Sequence, residues 1–246
     1  MWTLPAPAEL EQLLDKAADL PPALAGDLSA PLAMAMPPEW QESQHKILIV
    51  GQETLGWDYR WSADDWKSGL LDGAGRSDRA KALINAYEAF DLAASQPKSV
   101  RSPFWRAQRA LADRFEGGDY RKVLWTNLSR CDTTMADHGV ASVWKTLSYE
   151  DLDTMCHWQS PLLRAEIANS GAKRVIFFTG PNYDYLLDRT FSAVQYKPVF
   201  DGVAEREAAR MVSPDLPLQS FRLYHPAYLQ RRSLPHLEAL LDLLSA

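Results

Sequence analysis

Four short apolar runs, Lys46–Val50, Lys122–Thr126, Arg174–Thr179 and Ser220–Tyr224, constrain this chain more than any other feature. Each is of strand length and rich in β-branched or aromatic residues, and stretches of helical periodicity separate them. The clearest of these predict helices over 8–20, 77–94, 103–115, 159–170 and 234–244, with Pro103, Pro161 and Pro235 near first turns. Strands alternating with helices predict an α/β fold: three αβα layers around a central four-stranded, mainly parallel sheet. In such a sheet ligands sit beyond the carboxyl ends of the strands. The loops that leave the four runs read "GQETLGW", "NLSRCD", "GPNYDY" and "HPAYLQRR".

The length of 246 residues suits one domain over 1–246, with 1–44 as an acidic helical N-terminal extension and 57–120 as a largely helical insertion. With 46% apolar and 24% charged residues, the composition is that of a globular protein. No apolar run approaches the roughly 20 residues of a membrane span. The first residues lack both a basic region and a continuous apolar run, so no secretory signal and a cytoplasmic location are expected. Cys131 and Cys156 give no disulfide framework.

The net charge of −6 argues against nucleic acid until its distribution is considered. Residues 1–45 hold seven carboxylates and one lysine, and the other 201 residues carry 25 acids and 25 bases. Three segments contain bases and no acid: "KSVRSPFWRAQR" (98–109), "RKVLWTNLSR" (121–130) and "QSFRLYHPAYLQRR" (219–232). Clusters of this kind bind phosphates even on an acidic protein. The five histidines show no metal-ligand spacing, and "GQETLG" lacks the lysine and glycine spacing of a phosphate-binding loop.

Gly51-Gln52-Glu53 after the first run, Asn127 after the second and His225-Pro226-Ala227-Tyr228-Leu229 after the last together resemble the uracil-DNA glycosylase superfamily. There the first strand ends in a Gly-Gln-Asp-Pro-Tyr type of motif. The second ends in an asparagine that reads the base, and the last in a His-Pro-Ser type of motif with an intercalating leucine. The likeness covers the framework from about residue 45 onward. It implies cleavage of an N-glycosidic bond in DNA after the nucleotide is flipped out, leaving an abasic site. It also implies that Glu53 orients water or faces the cationic sugar, that Gln52 turns its backbone amide to a base carbonyl, and that Asn127 matches a pyrimidine edge. His225 would donate to the base oxygen where charge accumulates. Leu229 would be the wedge, Arg231 and Arg232 would hold phosphates, and an aromatic after the first strand would stack on the base. Trp57 is the candidate, with Trp61 and Tyr59 behind it.

Departures from the pattern bear on the substrate. Thr54 replaces the proline, Ala227-Tyr228 replaces Ser-Pro, and Leu55 stands where a tyrosine would exclude carbon-5 substituents. The base that the resemblance then implies is uracil or a carbon-5-modified pyrimidine such as a hypermodified phage cytosine, and the latter would make the enzyme one of defence against phage as much as of repair. No metal or other cofactor is implied, and two cysteines cannot supply an iron–sulfur cluster's four thiolates. Two other functions stay open: a catalytically inactive DNA- or base-binding module, and a hydrolase of free nucleosides or nucleotides.

Overall fold

The computed structural model describes residues 2–17, 20, 28–54, 81, 83–88, 101–134, 140–141 and 147–245. All four apolar runs are strands: β1 (Ile47–Glu53), β2 (Val123–Ser129), β5 (Arg174–Phe177) and β8 (Gln219–Leu223). They lie side by side in the order β2-β1-β5-β8, and each neighbouring pair is parallel. Ile47–Val50 and all of β2 are buried, as continuous apolar runs in parallel sheets should be. Two tiny strands, β3 (Thr133–Thr134) and β4 (Val140–Ala141), form a separate antiparallel pair.

The expected four-stranded sheet is too small. β6 (Gln195–Pro198) and β7 (Ala208–Val212) extend it beyond β8 by two antiparallel strands, giving one mixed sheet of six described strands. Segment 191–218 therefore builds the sheet edge. β6 is mostly exposed and carries Lys197 and Pro198, the residues by which edges resist further pairing.

Successive strand residues point to opposite faces, so the neighbours of Trp125 and Thr126 place the helices. Trp125 meets Trp105 of α2 (Pro103–Phe115) edge-on at 4.8 Å and stacks on Tyr87 at 4.6 Å. Thr126 hydrogen-bonds Glu166 of α3 (Tyr149–Ser170) at 3.4 Å. Helices thus cover both faces. α2 starts as predicted, with Ser102 accepting from the Trp105 amide and Pro103 in the first turn. α3 starts ten residues earlier than the periodicity suggested, at the Ser148 cap, so Pro161 lies in its interior. The proline removes one helical N–H there, the one facing the His157 carbonyl. Two short helices, α4 (Asp184–Thr190) and α5 (Pro226–Arg232), and the terminal α6 (His236–Ser245) complete the order. Among the described residues no helix is long and apolar enough to cross a membrane.

The N-terminal region is built into the core. α1 (Pro7–Lys16) lays Leu10, Leu13 and Leu14 against α3, where the Trp158 indole donates to the Leu13 carbonyl at 2.8 Å. Residues 28–36 form a fully buried strap, held by Ser29 N–H to Asp132 O (2.9 Å) and Leu32 N–H to Arg130 O (2.8 Å). Beneath the strap, Arg130 and Glu166 form an ion pair with side chains 0% and 1% exposed. Arg130 also donates to Thr126 Oγ1 (2.6 Å) and Leu32 O (3.3 Å), and Glu166 accepts from the Met34 amide (2.9 Å). Burial pushes the Glu166 carboxyl up, against the pull of Arg130.

Replacing one partner, as in Glu166→Leu, strands a buried guanidinium and is expected to cost about 3–5 kcal/mol in urea unfolding. The pair replacement Arg130→Met/Glu166→Leu should regain most of that loss.

Candidate functional site

The carboxyl ends of the four parallel strands lie along one edge of the sheet, as the sheet direction requires. Gly51 and Asn127 are Cα partners across β1 and β2. A Cβ on Gly51 would lie 2.1 Å from Asn127 Oδ1 and 3.2 Å from Phe104 Cε2. Glycine is required here by close approach: the Asn127 carboxamide and the Phe104 ring occupy the room a side chain would take. Asn127 itself is 8% exposed.

Phe104 sits in the first turn of α2, edge-on to Phe178 (6.2 Å), and its ring lies within 12° of parallel to His225 at 6.3 Å. The sequence reading passed over Phe104, although "SPFWRAQR" carries the signal: a helix start with two aromatics at the edge of a basic segment. Trp57, Trp61, Tyr59 and Leu55 lie outside the described residues.

His225 caps α5, its Nδ1 accepting from the Ala227 amide at 3.2 Å. An imidazole that accepts at Nδ1 carries its proton on Nε2 when neutral, and that N–H is a donor. Burial, with Arg231 adding to it, lowers the His225 pKa from its ordinary value of 6.5. The site therefore holds a neutral donor beside a carboxamide and an aromatic ring.

Gln52 and Glu53 are tied to the β5 side. The Gln52 carboxamide donates to Thr179 O at 2.8 Å, and Glu53 Oε1 accepts from the Tyr183 hydroxyl at 2.8 Å. Glu53 borders a crevice lined by Ser129, Leu152, Met155, Cys156 and Leu186 that is too tight for a water molecule. Burial pushes the Cys156 thiol there up to about 12, so it is no nucleophile at neutral pH. Gly51, Asn127, Phe104 and His225 thus form one cluster, and Glu53 and Tyr183 a second, two residues further along β1.

The expected wedge is not available. Leu229 is 4% exposed and belongs to the core, because α5 turns Pro226 and Leu229 inward and Gln230, Arg231 and Arg232 outward. The basic segments also sort differently from the sequence reading. Arg121 pairs with Glu39 (2.9 Å), Lys122 with Glu42 (3.3 Å), and Arg130 with Glu166, so 121–130 offers no cationic face. Arg222 is buried against Asp184 at 3.1 Å. Arg101, Arg106, Arg231 and Arg232 are exposed on or beside α2 and α5, and Arg106 donates to Gln230 at 2.6 Å. Arg231 and Arg232 stand over the Tyr228 ring at 5.8 and 5.7 Å.

Among the described residues no group of three or more His, Cys, Asp or Glu is placed to hold a metal ion. Compared with models of known protein families and with curated protein sequences, the chain matches none.

Gly51→Ala should collide with Asn127 and cost about 1–3 kcal/mol by overpacking, read as a lower denaturation midpoint. For His225, the unfolded chain binds a proton at 6.5 while the fold resists it. Its contribution to stability is therefore present above pH 6.5 and lost as pH falls below that value. NMR titration of the His225 ring should give a midpoint under 6.5.

Proposed function

We propose that this chain is a DNA glycosylase that binds an extruded pyrimidine at Asn127 and hydrolyses its N-glycosidic bond. The observation that carries the reading is the cluster of Gly51, Asn127, Phe104 and His225 at the carboxyl edge of four parallel strands. A carboxamide offers both donor and acceptor to a base edge, an aromatic ring offers a face, and a neutral Nε2–H offers a donor to an oxygen gaining charge. Water supplies the hydroxyl to carbon 1′, the base leaves with the bonding pair toward His225, and the water's other proton ends on the released base. Glu53 serves the cationic sugar. The strand order β2-β1-β5-β8 and the placing of the three motifs at strand ends support the resemblance to the uracil-DNA glycosylase superfamily. The base is uracil or a carbon-5-modified pyrimidine.

One observation favours a second reading. With Leu229 buried, the described residues provide no wedge at the position the motif assigns it, and a hydrolase of free nucleosides or nucleotides needs none.

Alkali cleavage of labelled oligonucleotides and of phage DNA with modified cytosine, run beside chromatography of free nucleosides, separates the two. The expected result is abasic sites on one DNA, with His225→Ala and Asn127→Ala each slowing release on the order of 10²-fold. Base release from nucleosides alone would establish the second reading. DNA binding without cleavage of any substrate would leave an inactive binding module.

A further inference from the structure

We propose that Tyr183 positions Glu53, its hydroxyl fixing the carboxylate toward the sugar of the bound nucleotide. This rests on the glycosidic-cleavage reading above and adds a residue from a fourth strand end, that of β5, to it. Tyr183 closes the short turn Pro181–Tyr183 after β5 and is 130 positions from Glu53 in the chain. Its hydroxyl donates to Glu53 Oε1 at 2.8 Å, a bond strengthened because the acceptor is a carboxylate. The crevice beside the pair admits no water, so solvent cannot take the place of this donor there. A glutamate side chain has several rotatable bonds, and reaction depends on the orientation of the group that serves it. A donor held on one oxygen removes that freedom.

The donor is itself held. Tyr183 is 7% exposed, with its ring in the main core. Gly180 before the turn has φ +70°, and its N–H bonds Leu223 O at 2.9 Å, which ties the turn to β8. Asp184 after the turn meets Arg222 of β8 through Oδ1 at 3.1 Å and Oδ2 at 3.3 Å. Arg222 is 1% exposed and also donates to the carbonyls of Glu205 (2.9 Å) and Arg206 (2.8 Å). Both flanks of Tyr183 are thus pinned to the strand that leads to His225.

The test is steady-state kinetics of Tyr183→Phe, Glu53→Gln and the double variant on the DNA that the wild type cleaves, with thermal melts alongside. The expected result for Tyr183→Phe is a fall in kcat of about tenfold at unchanged KM and a melt close to wild type. In the Glu53→Gln background the same change should add nothing, because Tyr183 acts through that carboxylate. An unchanged kcat overturns the proposal, and so does a full further loss in the Glu53→Gln background. Should Tyr183→Phe fail to fold, Asp184→Asn keeps the hydroxyl and loosens the turn: lower kcat at constant KM supports the proposal, and unchanged kcat overturns it. A wild type inactive on every DNA and nucleoside overturns the functional reading, and this inference with it, before any variant is compared.

Discussion

Arg130 leaves the end of β2 and turns its guanidinium back under the sheet, to Thr126 of its own strand and Glu166 of α3. Glu166 in turn accepts from the Met34 amide of the N-terminal strap. Strand, helix and strap therefore meet at two opposite charges with almost no exposed surface. Each charge would be costly to bury alone, so the pair acts as a condition of mutual presence more than as net stabilisation. It also fixes the site from behind. Asn127 lies between Thr126 and Arg130 on the same strand end, and both of those are held by the pair. The Gln159 side-chain Oε1, accepting from the Arg130 amide at 2.8 Å, adds a further hold on that segment.

On this base the chemistry is distributed by the parity of the strands. Odd and even positions of β2 divide between the two faces, so Trp125 and Asn127 share the α2 side while Thr126 faces α3. The Asn127 carboxamide can lie close against β1 because its partner there is glycine. A larger residue at 51 would push the carboxamide away from Phe104 and His225. The same economy places the first turn of α2 and the start of α5 at the site, each headed by an aromatic or imidazole ring. Strand ends and helix starts carry these groups, so rigid elements aim them.

Much of this was legible in the sequence because the relevant signals are local. The four parallel strands are buried on both faces and read as continuous apolar runs, and their ends gave Gly51, Asn127 and His225 directly. β6 and β7 escaped because an edge hairpin with one strand largely exposed shows neither alternation nor an apolar run. The first ten residues of α3 escaped because Pro161 looks like a first-turn residue when the Ser148 cap is overlooked. Leu229 was assigned by its place in a motif, yet the spacing of Pro226 and Leu229 already marks one inward face of a helix. The basic segments misled for a different reason. A segment free of acids is neutralised when its partners are remote in sequence, as Glu39 is from Arg121 and Glu166 from Arg130.

What survives that neutralisation bears on the substrate. Arg101, Arg106, Arg231 and Arg232 are exposed on or next to two helices that begin at Phe104 and His225, and the Arg106–Gln230 bond joins those helices. The cations therefore flank the cluster and lie outside it. A nucleoside held by Asn127, Phe104 and His225 gains nothing from charges beyond its own edges. A polymer does, because its neighbouring phosphates extend past the bound base, and their neutralisation releases counterions. The tilt of Arg231 and Arg232 over Tyr228 leaves both guanidinium groups preorganised at the surface on the α5 side. On the proposed function, this charge placement weighs toward DNA as the substrate, against the buried Leu229 that weighs toward a free nucleoside or nucleotide. The two pull on separate steps: cations act on capture of the strand, and a wedge acts on the lifetime of the extruded base.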